Sequence, residues 1–332
     1  MDYNKDCDYY IKEVENKNHK KYNVFYINKN IQLNEKIIKE MEKYNCKIVE
    51  FGDEFNQLID NLSSKIKKIT FGDKFNQPVD NLPLEIKELY FGRDFNQSID
   101  NLPSGLLNLT FGDDFNKPVY NLPSGLLNLT FGDDFNKSVD NLPSGLLNLT
   151  FSCEWFLQPV NNLPRGLKNL TFRYHFYESV DNLPTQLQSL TFGIWFNESV
   201  DNLPSGLLNL TFGDVFDKSV DNLPSGLLNL TFGGNFNQPV DNLPKGLQYL
   251  TFEGNFNHPV DNLPSELLNL KFGCLFNKPI DNLPSGLQSL TLGIWFNQLL
   301  NNLPSGLQSL TISKKYNHPL NNLPASVKIT RI

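Results

Sequence analysis

The 332-residue chain is short of cysteine, histidine and positive charge, and each shortage removes a class of function. Its 4 cysteines, Cys7, Cys46, Cys153 and Cys274, have spacings that match neither a disulfide framework nor a metal motif. Such usage suits a reducing compartment, so a cytoplasmic location is expected. The 4 histidines, His19, His175, His258 and His318, are scattered, and no nucleophile motif, phosphate loop or metal constellation accompanies them. Lys and Arg number 29 against 36 Asp and Glu, a formal net charge of −7, which is the wrong sign for nucleic acid or an anionic membrane surface. No stretch approaches the roughly 18 apolar residues of a membrane-spanning helix. The opening MDYNKDCDYY lacks the basic start and apolar run of a signal peptide. The expectation is a protein that is not an enzyme, holds no cofactor or metal, and binds neither nucleic acid nor membrane.

What the chain has in abundance is repetition. Asn101 to Thr110 reads NLPSGLLNLT, and the same ten residues return at 121, 141, 202 and 222. The full unit is L-x-x-L-x-F-G-x-x-F-N-x-P-V-D-N-L-P-x-x, with a period of 20 broken by one extra residue between Phe151 and Phe156. One column holds Phe51, Phe71, Phe91 and Phe111, softening later to Leu292, Ile312 and Ile332; a second runs from Phe55 through Phe115 and Phe296 to Tyr316. So short a unit has no core of its own and must stack on its neighbours. Leu109 and Phe111 alternate with Asn108 and Thr110, the period of a short strand with the apolar pair inward. Gly112 suits a turn after that strand, and the Pro of N-L-P, with no amide hydrogen to offer a ladder, belongs on the return side. The expected fold is a mainly β repeat solenoid: a leucine-rich-repeat-like, right-handed coil with one continuous parallel sheet and a small βαβ cap at its N-terminal end.

Two Asn columns should add specificity, one through Asn116 and Asn136 and one through Asn121 and Asn141. An unpaired buried amide is costly, so each ladder is expected to bond backbone groups of adjacent turns. The stacked Asp residues beside the second column, such as Asp181 and Asp201, must be solvated or bonded to turn amides, since no spacing resembles a calcium loop. The sequons at Asn108, Asn128, Asn148 and Asn209 fall on the sheet surface, a poor place for a glycan.

The L-x-x-L-x-F core followed by F-N-x-P and N-L-P resembles the FNIP repeat family, which is related to leucine-rich repeats; Phe115-Asn116-Lys117-Pro118-Val119 and Phe276-Asn277-Lys278-Pro279-Ile280 carry its naming motif. The resemblance covers roughly residues 46–332 and implies a solenoid with no enzymatic activity attached to the repeat. It also implies a role beside ubiquitin-ligase adaptors as an alternative, because some FNIP proteins carry an F-box; residues 1–50 do not have the leucine-rich helical pattern of one.

Three segments are expected: residues 1–20 disordered, 21–50 a strand-helix-strand cap, and 51–332 the solenoid of about fourteen 20-residue repeats. In the cap, Tyr22 to Ile27 reads as a strand, Asn34 caps a helix with Ile37, Met41 and Tyr44 on one face, and Cys46 to Phe51 enters the first repeat.

The function expected is a protein–protein interaction scaffold, probed at either of two surfaces. One is the sheet face, with its stripe of Thr110, Thr130 and Thr150; the other is the strand-end edge, where regularity fails. There Glu154, Trp155, Tyr174, His175, Ile194 and Trp195, with Cys153, replace the Gly-Asp-Asp turns of earlier units and should form one aromatic patch. The earlier units instead offer Asp113, Asp114, Asp133 and Asp134, an acidic edge whose Asp113 and Asp133 imitate a glycosidase acid pair only because the units are copies. A protein partner and a monomeric chain are expected. The alternatives are the substrate-recognition part of a ubiquitin-ligase adaptor lacking its own F-box, and a purely structural virion or surface component.

Overall fold

A computed structural model describes residues 7–15, 17, 19–320, 323 and 327–332. The chain forms two compact units, Met1–Gln158 with Asn162–Leu167, and Pro159–Asn161 with Lys168–Ile332. Each is a β-solenoid.

Unit 1 opens on β1 (Tyr9–Glu15), β2 (Lys21–Ile27), the helix α1 (Glu35–Lys43) and β3 (Ile48–Phe51). Strands β1 and β2 form an antiparallel hairpin that runs in register from Tyr9 opposite Ile27 to Glu15 opposite Lys21. Disorder therefore does not extend through the first twenty residues. Stacked rings hold the hairpin, Tyr9 on Phe25 at 5.3 Å and Tyr10 on Tyr26 at 4.7 Å, as does an ion pair from Lys21 to Glu13 at 2.7 Å. Residues 1–6 lie outside the described residues. The side chain of Asn34 accepts from the Ile37 amide and starts α1, whose Ile37 and Met41 are buried. Tyr44 does not share that face: it is the C-cap and is exposed. Strand β3 lies parallel to β2, so α1 is the crossover between them and buries Ile37 and Met41.

From β3 the sheet continues in parallel through β4 (Lys68–Thr70), β5 (Glu88–Tyr90), β6 (Asn108–Thr110), β7 (Asn128–Phe131) and β8 (Asn148–Phe151), followed by the two-residue β9 (Trp155–Phe156). Residues twenty apart are partners, as Leu109 is to Leu129 and Phe131 to Phe151. Unit 2 repeats the pattern with β10 (Asn169–Phe172), the short β11 (His175–Phe176), β12 (Ser189–Thr191), β13 (Asn209–Thr211), β14 (Asn229–Phe232), β15 (Tyr249–Phe252), β16 (Asn269–Lys271), β17 (Ser289–Thr291), β18 (Ser309–Ile312) and β19 (Lys328–Arg331). Strand β10 and each strand from β12 to β19 pair in sequence, all parallel. The 20-residue spacing places Ile332 in the first Phe column, but the last turn is one residue shorter. Leu310 is beside Ile329 and Ile312 beside Arg331, which keeps Leu over Ile and Thr311 over Thr330.

The core is built from the alternation. In the coil of β6, Leu106, Leu109, Phe111, Phe115, Val119 and Leu122 are all buried, and each contributes about 1.5–3 kcal/mol. Phe111 stacks on Phe115 in the same coil at 3.7 Å, and on Phe131 of the next at 5.8 Å. Aromatic pairs of this kind add about 0.5–1.5 kcal/mol each. After Pro103 the chain turns tightly, the Leu106 amide donating to the Pro103 carbonyl at 3.1 Å, so the proline occupies a position that needs no donor.

The glycine that follows each strand is required for a different reason from the one its turn position suggests. Among the described residues no glycine has positive φ. A Cβ on Gly112 would instead overlap the backbone of Gly92 and Arg93, because successive coils pass each other here without room for a side chain.

The two Asn columns have different partners. In the first, the Asn96 side-chain oxygen accepts the Asn116 amide and the Asn116 oxygen accepts the Asn136 amide, both at 3.1 Å. This ties each turn to the next. The second column is exposed, and its amides donate to carboxylates rather than to backbone: Asn121 to Asp100 at 3.1 Å, Asn202 to Asp181 at 3.0 Å. Tyr120 replaces the next Asp, so Asn141 has no such acceptor. The Asn202 amide and Ser179 hydroxyl hold Asp181 below the usual carboxylate range, and the Asn222 amide and Ser199 hydroxyl do the same for Asp201. Stacked like charges are thereby tolerated, through side chains and not through the turn amides.

Candidate functional site

The strand-end turns form a ridge in each unit. After the Phe and Gly that close a strand come two residues whose side chains face outward before the second Phe turns in. Their backbone is held by one recurrent bond: the amide of the second residue donates to the carbonyl of the first residue one coil earlier. Examples are Val215 to Ile194 at 2.9 Å, Asn235 to Asp214 at 2.8 Å, Asn255 to Gly234 at 2.7 Å and Trp295 to Cys274 at 3.2 Å. The side chains are therefore displayed at one-coil intervals, about 4.8 Å, on a backbone whose hydrogen bonds are satisfied.

In unit 1 this ridge is acidic. Desolvation and the carboxylates of Asp94, Asp134 and Asp113 raise Asp114, and desolvation with Asp113, Glu154 and Asp134 raises Asp133. Both carboxylates stand on an open ridge with no enclosing wall. Glu154 keeps the ladder, its amide donating to Asp133 at 3.0 Å, while Phe156 stacks under Phe135 at 6.2 Å. The extra residue of the sequence is thus Trp155, pushed out between them and 47% exposed. Cys153 is no part of any surface: it is buried, and desolvation pushes its thiol up to about 12.

In unit 2 the ridge is apolar at its start. Tyr174, Ile194 and Trp195 are exposed, and the His175 and Trp195 rings stack at 5.2 Å with 7° between their planes. Of the residues singled out in the sequence, the structure brings these two into direct contact, with Tyr174 and Ile194 beside them in the neighbouring column. Glu154 and Trp155 stand on the ridge of unit 1.

Sequence reading missed a second knob on the same ridge. Leu275, Ile294 and Trp295 are exposed, Trp295 at 58%, and Lys315 Nζ lies 5.6 Å from the centre of the Trp295 ring. The signal was available: Gly193-Ile194-Trp195-Phe196-Asn197 returns unchanged at 293–297. It was overlooked because residues 293–297 keep the regular period, whereas the first knob adjoins the insertion. The Thr stripe of the sheet face is half-buried in the strands, and beside it Asn128 donates to Asn108 and Asn148 to Asn128. Among the described residues no three His, Cys, Asp or Glu side chains are grouped to hold a metal.

These features define a leucine-rich-repeat-like β-solenoid that displays side chains along its strand ends. The FNIP Repeat family model matches residues 58–94, 75–114, 115–154, 236–275 and 276–315, more than half of the chain. The chain belongs to the FNIP repeat family. Among solved structures it is similar to CroV588, a circular leucine-rich-repeat protein of a giant virus, with 37% identity and a TM-score of 0.78 over 93% of this chain. The chain spans 53% of the length of that protein. It is also similar to YopM of Yersinia enterocolitica, at 19% identity and a TM-score of 0.54 over 86% of this chain and 64% of YopM. A chain of the Toll–Spätzle complex of Drosophila aligns at 11% identity and a TM-score of 0.61, over 92% of this chain and 57% of that one. These last two likenesses show the fold alone. No curated protein matches the chain.

Proposed function

We propose that this chain is a non-enzymatic scaffold that binds another protein through the strand-end ridge of unit 2. The observation that supports it is the half-buried His175 ring stacked on exposed Trp195, flanked by exposed Tyr174 and Ile194, on a backbone fixed by coil-to-coil hydrogen bonds. Rigid aromatic anchors lose little entropy on binding and dominate interface energies. Of the carboxylates of raised pKa in unit 1, Asp133 is exposed and Asp114 half-buried, and water at the ridge screens them, so an acid pair gains little from electrostatics there.

A cytoplasmic setting fits the same reading. Cys46 and Cys153 are buried, and burial pushes their thiols up to about 11 and about 12, so both are inert. The sequon Asn128 is half-buried and bonded to Asn108 and Asn148, which leaves a glycan no attachment point.

The test is affinity capture from host cytosol with the full chain and with a Tyr174→Ala/Trp195→Ala variant of unchanged circular dichroism. Loss of a defined subset of partners from the variant is expected. The same partners retained at the same yield would exclude this surface, and turnover of a polysaccharide panel by the pure chain would overturn the non-enzymatic reading.

A further inference from the structure

The second column of the unit 2 ridge carries similar residues in both directions over its six central coils, while the first column departs once, with Asp214 opposite Cys274. Its midpoint lies between two adjacent coils that carry Gly234-Asn235 and Gly254-Asn255. One coil outward on either side, Val215 answers Leu275. One further, Ile194-Trp195 answers Ile294-Trp295, the two apolar knobs. At the ends, the aromatic pair Tyr174-His175 stands opposite the cationic pair Lys314-Lys315. Every one of these coils is locked to the next in register, by parallel strand pairing from β10 through β18. The seven steps of the ridge extend about 34 Å, with the two tryptophans about 24 Å apart at one strand spacing per coil.

From this symmetry we infer that the occupant of the ridge is a second copy of this chain, lying antiparallel about a two-fold axis between the Asn235 and Asn255 coils. An isologous contact requires a surface complementary to itself when turned end for end, and this column order supplies that. A two-fold axis in the plane of contact and across the ridge reverses the order of coils but keeps each column opposite itself. Trp195 then meets Trp295 of the second copy, twice. The glycines and the short Asn pair at the centre allow close approach, and Asn255 already donates to Asn235 at 3.1 Å within one chain.

Charge selects the antiparallel arrangement over the parallel one. In a parallel pair Lys314 and Lys315 would face their own copies, in a segment, 309–320, that contains no acidic residue. In the antiparallel pair they face Tyr174, whose ring accepts a cation, and His175, with Glu178 and Glu198 three residues past the ridge in their coils. The chain already makes one such contact, Lys315 over Trp295. Two residues in each of eight coils, with the adjoining mixed column that holds Glu178, Glu198, Lys218 and Lys278, approach the 20–30 residues a side of a standard interface at its small end, so a dissociation constant of micromolar order is expected. The inference rests on the ridge being a protein-binding surface, and it replaces the monomer expected from the sequence.

Sedimentation equilibrium on the purified full chain should show a monomer–dimer transition at micromolar concentration. Each anchor is used twice by the two-fold, so Trp295→Ala should weaken the dimer by about a hundredfold. Lys314→Gln/Lys315→Gln should weaken it as well, whereas strengthening, from relief of like-charge repulsion, would favour the parallel pair and overturn the inference. The arrangement is read by single-cysteine variants in a Cys7→Ser/Cys274→Ser background. Asn235→Cys mixed with Asn255→Cys should cross-link between chains, and Asn235→Cys alone should not; the reverse result overturns it. A chain that stays monomeric to 1 mM (about a thousandfold above the expected constant) also overturns it. If Tyr174→Ala/Trp195→Ala still loses captured partners in that case, only the homodimer falls; if it loses none, the ridge itself is not a binding surface.

Discussion

A single side chain in this fold is judged by its column. Phe115 is fully buried and touches Phe111, Phe95 and Phe135, so Phe115→Ala should lower stability by about 3–5 kcal/mol, read from urea unfolding. Gly112→Ala adds only a methyl, yet that methyl meets backbone that has nowhere to move. A loss of about 1–3 kcal/mol is expected, against near neutrality for Gly125→Ala, whose Cβ meets nothing closer than 3.6 Å. Charge on the acidic ridge behaves in the opposite sense to the Asn-bonded aspartates. Desolvation and neighbouring carboxylates raise Asp133, so the folded chain holds that proton more tightly than the unfolded one. Ionisation of Asp133 therefore opposes folding; the penalty is full above the folded pKa, shrinks as pH falls through it, and is gone below the unfolded pKa. Asp133→Asn should raise Tm slightly near neutral pH, and the gain should vanish by about pH 3. A gain that persists in acid would mean the carboxylates do not repel one another.

Among elements, the N-terminal cap decides whether the first coil of unit 1 has a free edge. Strand β2 pairs with β3, and β1 closes the outer side of β2, leaving a twisted antiparallel hairpin where a parallel strand would otherwise stand open. The helix depends on its start. Asn34→Ala removes the acceptor of the Ile37 amide and should destabilise the cap by about 1 kcal/mol, visible as faster hydrogen exchange across α1 and β3. Hairpin β1–β2 was half legible. YNVFYI announces β2, but β1 reads YYIKEVE, polar and without a clean inward face. Its order comes from Tyr9 and Tyr10 stacking across the hairpin, a long-range fact that propensity does not carry.

At the scale of the whole molecule, each coil contacts its neighbours in register within its own unit, so the integrity of a unit depends on the period more than on the number of coils. Excision of residues 112–131 joins Phe111 to Gly132 and restores the pattern at the seam. That variant should stay folded with a Tm lowered by a few degrees, while excision of 112–121 should abolish cooperative melting in unit 1, both read by circular dichroism. Equal damage from the two deletions would contradict stacking in register.

The period of 20, the inward Leu and Phe columns, and the Asn ladder of the F-N positions were determined by the sequence alone. They are local patterns repeated until only stacking satisfies them. Tertiary structure decided the rest, because it depends on what lies one coil away. Gly112 is needed for the passage of Gly92, not for its φ. Asn121 bonds the carboxylate of Asp100 rather than backbone, and the extra residue emerges as Trp155 while Cys153 goes inward. The second knob was written in the repeat of GIWFN, but its relation to the first was not: a hundred residues separate Trp195 from Trp295, and only a common ridge, five coils apart, makes them two ends of one surface.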